Sequence, residues 1–404
     1  MLIESGPPPS PGCCIYKVPR DIRLLNVAAY EPCVVSIGPF HHGKSNLKTM
    51  EERKIHYFRS FVQRANLDVD DLVNTVKEWE EETRASYGEK IEFSRDDFVL
   101  MILFDGIFII ELFLRKQFPQ WREDYDNKLT FQSGFFENIN SDLILLENQL
   151  PFFVLKRIFN YAFQRHPVNF LPLIDLTFLF FSSYNTRDMR PEPGFEREHF
   201  LDFVRTFRLP SNSMTQHGSG AKVEFRPGAK ELHKAGVEFK KASSERPFHI
   251  HFENSILELP CLNLYDDTES YFRNLMVFEQ CHYPNDSHIR DYVAFMDFLI
   301  NTTEDVDLLV QSGVIENNLG DAAAVATLFN SLCKNITIDD SRFSYASLCE
   351  ELNAHCKFLW HHWKAILRRD YFSNPWRTAA TIAAIMLLVL TLVQTICSII
   401  SLRK

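Results

Sequence analysis

The chain has 404 residues and a formal net charge of −10, which excludes bulk nucleic-acid binding, because a phosphate backbone needs a basic face. Its nine cysteines follow no regular spacing and form no C-x-x-C pair, so a disulfide framework is excluded and reduced thiols are expected. Thirty-six Phe residues point to a bulky aromatic core, in a chain long enough for one large domain or two ordinary ones.

Residues 1–14 read as a loose Pro-rich leader, with Pro7, Pro8, Pro9 and Pro11 and without the apolar region of a signal peptide. A head domain is expected over 15–372. It opens on a turn-rich stretch that carries the short apolar run Val34-Val35-Ser36-Ile37. Residues 50–65 and 67–86 have the pattern of polar amphipathic helices. Residues 98–114 are apolar enough to imitate a membrane span, but Asp105 and Glu111 at membrane depth would each cost a few kcal/mol. They predict instead a buried core helix whose acids find partners. Residues 141–164 are helical with a break near Pro151, and 171–181 are apolar but too short to span.

The span 187–227 collects Pro191, Pro193, Pro210, Gly218, Gly220 and Pro227, and predicts a long variable loop. Period-two alternation over 237–260 predicts a small antiparallel sheet, with Asn254-Ser255 turning a hairpin. From Thr268 onward the pattern is helical. The expected fold class is mainly α (α+β): a large helical domain with a small antiparallel sheet, plus one C-terminal transmembrane helix.

That last helix is expected over 376–402. The 25 residues from Thr378 to Leu402 carry no charge. At about 1.5 Å per residue they would cross a ~30 Å hydrocarbon core. Pro375 suits a helix start, and Tyr371 and Trp376 suit an interfacial aromatic belt. Lys364, Arg368, Arg369 and Arg377 precede the span, whereas Arg403 and Lys404 follow it. This asymmetry favours a single-pass, tail-anchored protein with a cytosolic head. Trp360 and Trp363, with Arg368 and Arg369, fit either an amphipathic helix on anionic lipid or a last helix packing inward. A lipid-surface scaffold is therefore one alternative function. N-x-S/T triplets at Asn285, Asn301 and Asn335 become glycosylation sites only if the head is translocated.

One catalytic pattern is matched. Gly38 to Ser45 fits G-x-x-x-x-G-K-[ST], with Gly38, Gly43, Lys44 and Ser45 in the phosphate-cradling positions. A tail-anchored nucleotide-binding enzyme is the second alternative. Against it, Pro39 supplies no N–H, Phe40, His41 and His42 crowd the loop, and the alternating βα pattern of a parallel sheet is missing. Cys333, Cys349, His355, Cys356, His361 and His362 match no common zinc spacing, and helix faces explain them better. The residues name no reaction, metal or cofactor.

Several segments together resemble the plant family called domain of unknown function 247, or UPF-0481. They are Ile15-Tyr16-Lys17-Val18-Pro19, Ala29-Tyr30-Glu31-Pro32, Val35 to Gly43, Asp142 to Phe153, and Glu231 to Val237. Further on come Asp267-Thr268-Glu269, Phe272-Arg273-Asn274-Leu275, Phe278 to His282, Asp297 to Thr302, Asp305-Val306, Phe329-Asn330, Trp363-Lys364 and Pro375-Trp376. The resemblance runs over about 15–402. It implies a plant membrane protein from a family with no established enzymatic activity, cofactor or catalytic residue to carry over, while the anchor, the aromatic core and the missing catalytic constellation point to a non-enzymatic interaction module with an unidentified protein partner. Some members map to grass self-incompatibility loci and are proposed there as recognition determinants. In this family the Gly-Pro-Phe-His-His-Gly segment recurs while the next residues vary, so Lys44-Ser45 reads as coincidence. Buried, His41, His42, Glu147, Asn148 and Gln149 would need hydrogen-bond partners, and a structural role is expected for all five.

Overall fold

The computed structural model describes residues 12–122, 135–163, 170–192, 194–209, 227–243, 247–357, 383 and 386–395. After an N-terminal segment with one short helical turn (Arg20–Arg23) and two 3-10 turns (Val27–Tyr30 and Ser45–Leu47) come helices α1 (Lys48–Ala65), α2 (Val69–Glu78), α3 (Glu80–Ala85) and α4 (Arg95–Gln117). Ser94 caps α4 by accepting from the Asp97 N–H at 3.1 Å. Asp96 and Asp97 sit in its first turn and Arg115 and Lys116 in its last, which suits the helix dipole. Between Phe98 and Arg115 every side chain except Leu100 and Phe104 is buried. Helices α1, α2, α6 (Phe152–Phe163) and α7 (Leu173–Phe180) pack around it, after α5 (Phe135–Asp142). The two buried acids of α4 have the expected partners. Asp105 meets Lys54 of α1 at 2.6 Å; Glu111 meets Arg64 at 2.5 Å and Arg115 at 3.0 Å.

Three expectations need correction. The long loop over 187–227 contains a buried helix, α8 (Phe200–Thr206), whose Phe200, Leu201, Phe203 and Val204 enter the core. Flanking prolines hid this short apolar stretch; the loop's residues 210–226 lie outside the described residues. Cys13 and Cys14, counted with the leader, are buried, because their segment docks on Ser86 through N–H···O bonds of 3.0 Å from Cys14 and 2.9 Å from Ile15. The sheet is mixed rather than antiparallel. After α9 (Ala229–Lys234), β1 (Glu238–Lys241) pairs parallel with β3 (Ile256–Leu259), and β2 (His251–Glu253) pairs antiparallel with β3 in the order β1-β3-β2. Period-two alternation reports which face is buried, not strand direction. The β2–β3 hairpin does turn at Asn254 and Ser255, at φ 51° and 66°, as a two-residue primed turn requires.

The second half is built on α10 (Thr268–His282), α11 (His288–Leu299), α12 (Thr303–Gln311) and α13 (Ala322–Leu332), with α13 packed on the other three. A parallel pair of strands, β4 (Leu262–Leu264) just before α10 and β5 (Ile315–Asn317) between α12 and α13, joins the starts of α10 and α13. Each is only three residues long, which left no periodicity to read. Among the described residues no helix is long and apolar enough to cross a membrane. Most of the expected span 376–402 lies outside them; its described part, 383 and 386–395, is helical, with Leu387 65% and Leu388 68% exposed.

Gly106 of α4 packs against α6: a Cβ there would stand 2.8 Å from Ile158 Cδ1 and 3.6 Å from Leu155 Cδ2. Gly106→Ala should be near neutral in urea unfolding, since helix propensity gains about what the shifted Ile158 loses. Gly106→Val should overpack the same contact and cost about 1–3 kcal/mol.

Candidate functional site

The segment 33–38 enters the core from an exposed Cys33 and a half-buried Val34, is buried from Val35 to Gly38 and joins no strand, so its backbone N–H groups need other acceptors. Buried side chains supply them. Asp142 accepts from the N–H groups of Cys33 at 2.8 Å, Val34 at 2.7 Å and Val35 at 2.8 Å. The Asn148 carbonyl accepts from Ile37 N–H at 2.6 Å, and Asp105 accepts from Gly38 N–H at 2.8 Å. Lys54 donates to the Ser36 carbonyl and to Glu51, each at 2.6 Å.

The turn before Pro151 supplies the matching groups. Glu147 accepts from Val18 N–H at 2.7 Å and pairs with Arg23 at 2.6 Å. The Asn148 amide donates to the carbonyls of Val35 at 3.0 Å and Asp142 at 2.9 Å. Gln149 donates to the carbonyls of Leu143 and Leu145 and accepts from Phe200 N–H at 3.0 Å. All three residues are buried and hydrogen-bonded, as expected of polar groups in an apolar stretch. Burial pushes Asp142 up to about 6, and its three N–H partners act in the opposite direction.

The residues of the nucleotide pattern have other partners. Gly38 (φ 72°) lies so close to the Gln149 carbonyl that a Cβ would stand 2.6 Å from that oxygen. Its N–H faces a carboxylate. Lys44 pairs with Glu31 at 2.6 Å, which holds the Glu31 carboxyl below its ordinary range. Ser45 opens a short 3-10 turn, Ser45–Leu47, and Gly43 (φ 81°) turns the chain. The Gly38 N–H and the Lys44 ammonium that a phosphate would need are taken by Asp105 and Glu31. His41 is buried 3.7 Å from Glu147, and burial lowers its pKa to about 4.

His199 was not singled out in the sequence. It caps α8, accepting from Asp202 N–H through Nδ1 at 3.2 Å while Nε2 lies 3.0 Å from the Cys14 carbonyl. This pattern assigns a neutral ring with its proton on Nε2.

Among the described residues the cysteines are free thiols, and no group of His, Cys, Asp and Glu could hold a metal ion. Asn285, Asn301 and Asn335 are exposed. The expected membrane-interface residues Trp360, Trp363, Arg368, Arg369, Tyr371, Trp376 and Arg377 lie outside the described residues.

Of the side chains that knit this knot, Asp142, Glu147, Asn148 and Gln149 fall in the segments that carried the resemblance, whereas Asp105, Lys54 and Arg23 do not, and the family model for DUF247, described as "Plant protein of unknown function", matches residues 15–390. The chain belongs to the DUF247 family. It is 28% identical to UPF0481 protein At3g47200 of Arabidopsis thaliana over 430 residues, covering 99% of this chain and 89% of that one. It is 22% identical to the putative UPF0481 protein At3g02645 of the same plant, over 94% of this chain and 89% of that one. No solved structure matches. What the DUF247 segments do in this structure is satisfy buried backbone.

Asp142→Ala strips the acceptor from three N–H groups and should cost at least about 2 kcal/mol in chemical unfolding, with Asp142→Asn milder because one oxygen remains. His199 gives a pH prediction. Burial lowers its pKa from 6.5 to about 4, so the unfolded chain binds the extra proton first. Stability is therefore lost as pH falls from 6.5 toward 4, by up to about 3 kcal/mol. His199→Asn keeps a capping oxygen but not the titration, and its stability should fall less over that window.

Proposed function

We propose that this DUF247 protein is a membrane-held recognition module without enzymatic activity. The observation that carries this reading is where the signature side chains go: Asp142, Glu147, Asn148 and Gln149 are buried and bonded to the chain's own backbone. Groups committed in this way build a scaffold, and partner contacts then fall to the surface. Membrane attachment through 376–402 is supported by the uncharged run and by its described helical part. There Met386, Leu387, Leu388, Val389, Leu390, Leu392 and Val393 are each at least half exposed. Such a surface suits lipid better than water. The basic residues before the run favour a cytosolic head, and the free thiols agree with it. A role of the self-incompatibility kind is one form such recognition could take.

Expression of the full chain in plant microsomes tests the arrangement. The protein should pellet with membranes, its head should be digested by added protease, and glycosidase should cause no mass shift. Deleting 376–402 should move it to the supernatant. A protected head modified at Asn285, Asn301 or Asn335 would place recognition on the other side of the membrane, and a soluble full chain would remove the anchor.

A further inference from the structure

A groove of about 530 Å³ runs between α10 and α13, within the usual size of ligand sites. Two contacts fix how the helices lie. Asn318 N–H donates to the Leu264 carbonyl at 3.0 Å just before them, and Arg273 donates to the Ser331 hydroxyl at 2.9 Å further along. The helices therefore run side by side in the same direction. Ala324, Thr327, Leu328 and Ser331 line the groove at i, i+3, i+4 and i+7, as one face of α13. Its floor is charged but settled: Arg273, almost fully buried, is paired with Glu269 at 2.7 Å.

The walls are apolar. Leu25, Tyr265 and Leu319 face the groove, and Leu25 and Tyr265 are exposed. Leu24 (67% exposed) and Val27 (44%) extend the apolar surface on the Leu25 side. Two charges line the groove without an ion pair among the described residues: Asp266, beside the start of α10, and Lys334, beyond the end of α13. Lys334 acts on the Asp297 carboxyl only at longer range. The helix dipoles favour an acid and a base at these ends, which accounts for their signs but leaves both charges open to a ligand. From Ala324 to Ser331 the helix rises about 10 Å, the reach of about three residues of extended chain.

We propose that this groove binds a short extended peptide segment of a partner protein, apolar in the middle, with a basic group at the Asp266 end and an acidic group at the Lys334 end. This rests on reading the chain as a recognition module and names the chemistry of what it recognises. It does not depend on the side of the membrane that the head occupies.

The test uses the full chain in detergent and fluorescein-labelled amidated tetrapeptides, read by anisotropy at millimolar competitor. The probe Lys-Leu-Leu-Glu should bind saturably, and Ser-Ser-Ser-Ser should not. Asp266→Lys should weaken that probe about five-fold, the size of one exposed charge pair, and shift preference to Glu-Leu-Leu-Glu. Lys334→Glu should shift it to Lys-Leu-Leu-Lys. Ala324→Trp, which fills the groove from an exposed position, should abolish binding with the thermal midpoint unchanged. No saturable binding by a protein with a wild-type melting curve overturns the proposal. So does binding that ignores all three substitutions. Either result leaves the microsome experiment to decide membrane attachment separately.

Discussion

Much of the first half of the molecule depends on one constraint: the backbone of 33–38 runs into the core without joining a strand. Unpaired N–H groups there would each forfeit a hydrogen bond's worth of desolvation. Covering them takes acceptors from three places in the sequence, Asp105 on α4, Asp142 at the end of α5, and Asn148 in the turn after it. Once those acceptors are fixed, so are the neighbours. Asp105 carries charge into the core and holds Lys54 against it. Gln149 follows Asn148, and its side chain fixes the start of α8 through Phe200 N–H. The N-terminal segment is held in turn by Glu147 at Val18 and Arg23.

The second half uses the same device. Glu279, fully buried, accepts from the N–H groups of Ile289 at 3.1 Å and Arg290 at 3.0 Å, and so caps α11, while Arg205 neutralises it at 3.0 Å. Asp291 holds Ser344 through its N–H at 2.9 Å and hydroxyl at 2.6 Å. Asp305 caps α12 at Thr302 and reaches Lys230 N–H at 2.8 Å, tying α9 to it. Burial raises the pKa of Asp142, Glu279 and Asp291, so these acids take up protons in the fold more readily than in the unfolded chain. Their contribution to stability grows as pH falls, opposite in sign to that of the buried histidines.

Helices were legible where a long period met clear ends. The acids in 98–114 correctly argued for a core helix, because a charge in apolar surroundings demands a partner whatever the fold. The break near Pro151 and the hairpin at Asn254-Ser255 were legible from local backbone preferences alone. Strand direction in β1 was not, because pairing partners are set by tertiary packing. Helix α8 was missed because seven residues give barely two turns, and its cap is a histidine, an unusual capping residue. The knot itself was half legible. Buried Glu147, Asn148 and Gln149 announced a need for partners, but nothing local says that Glu147 and Asn148 find theirs on backbone groups over a hundred residues away.

On the proposed reading, the groove lets one scaffold serve different partners. Its floor residues, Glu269 and Arg273, lie in the segments that carry the family resemblance, and their pairing joins α10 to α13 through Ser331. The residues that would meet a ligand, Leu25, Tyr265, Asp266, Leu319, Ala324 and Lys334, lie outside those segments. Changes at these positions alter shape and charge at the surface without unsettling a buried pair, since exposed substitutions typically shift stability by less than about 0.5 kcal/mol. A change at Arg273 would instead strand Glu269 beside a hydroxyl that has lost its donor. Stability therefore constrains the floor and leaves the rim free to diverge, which is the division of labour that recognition of varied partners requires.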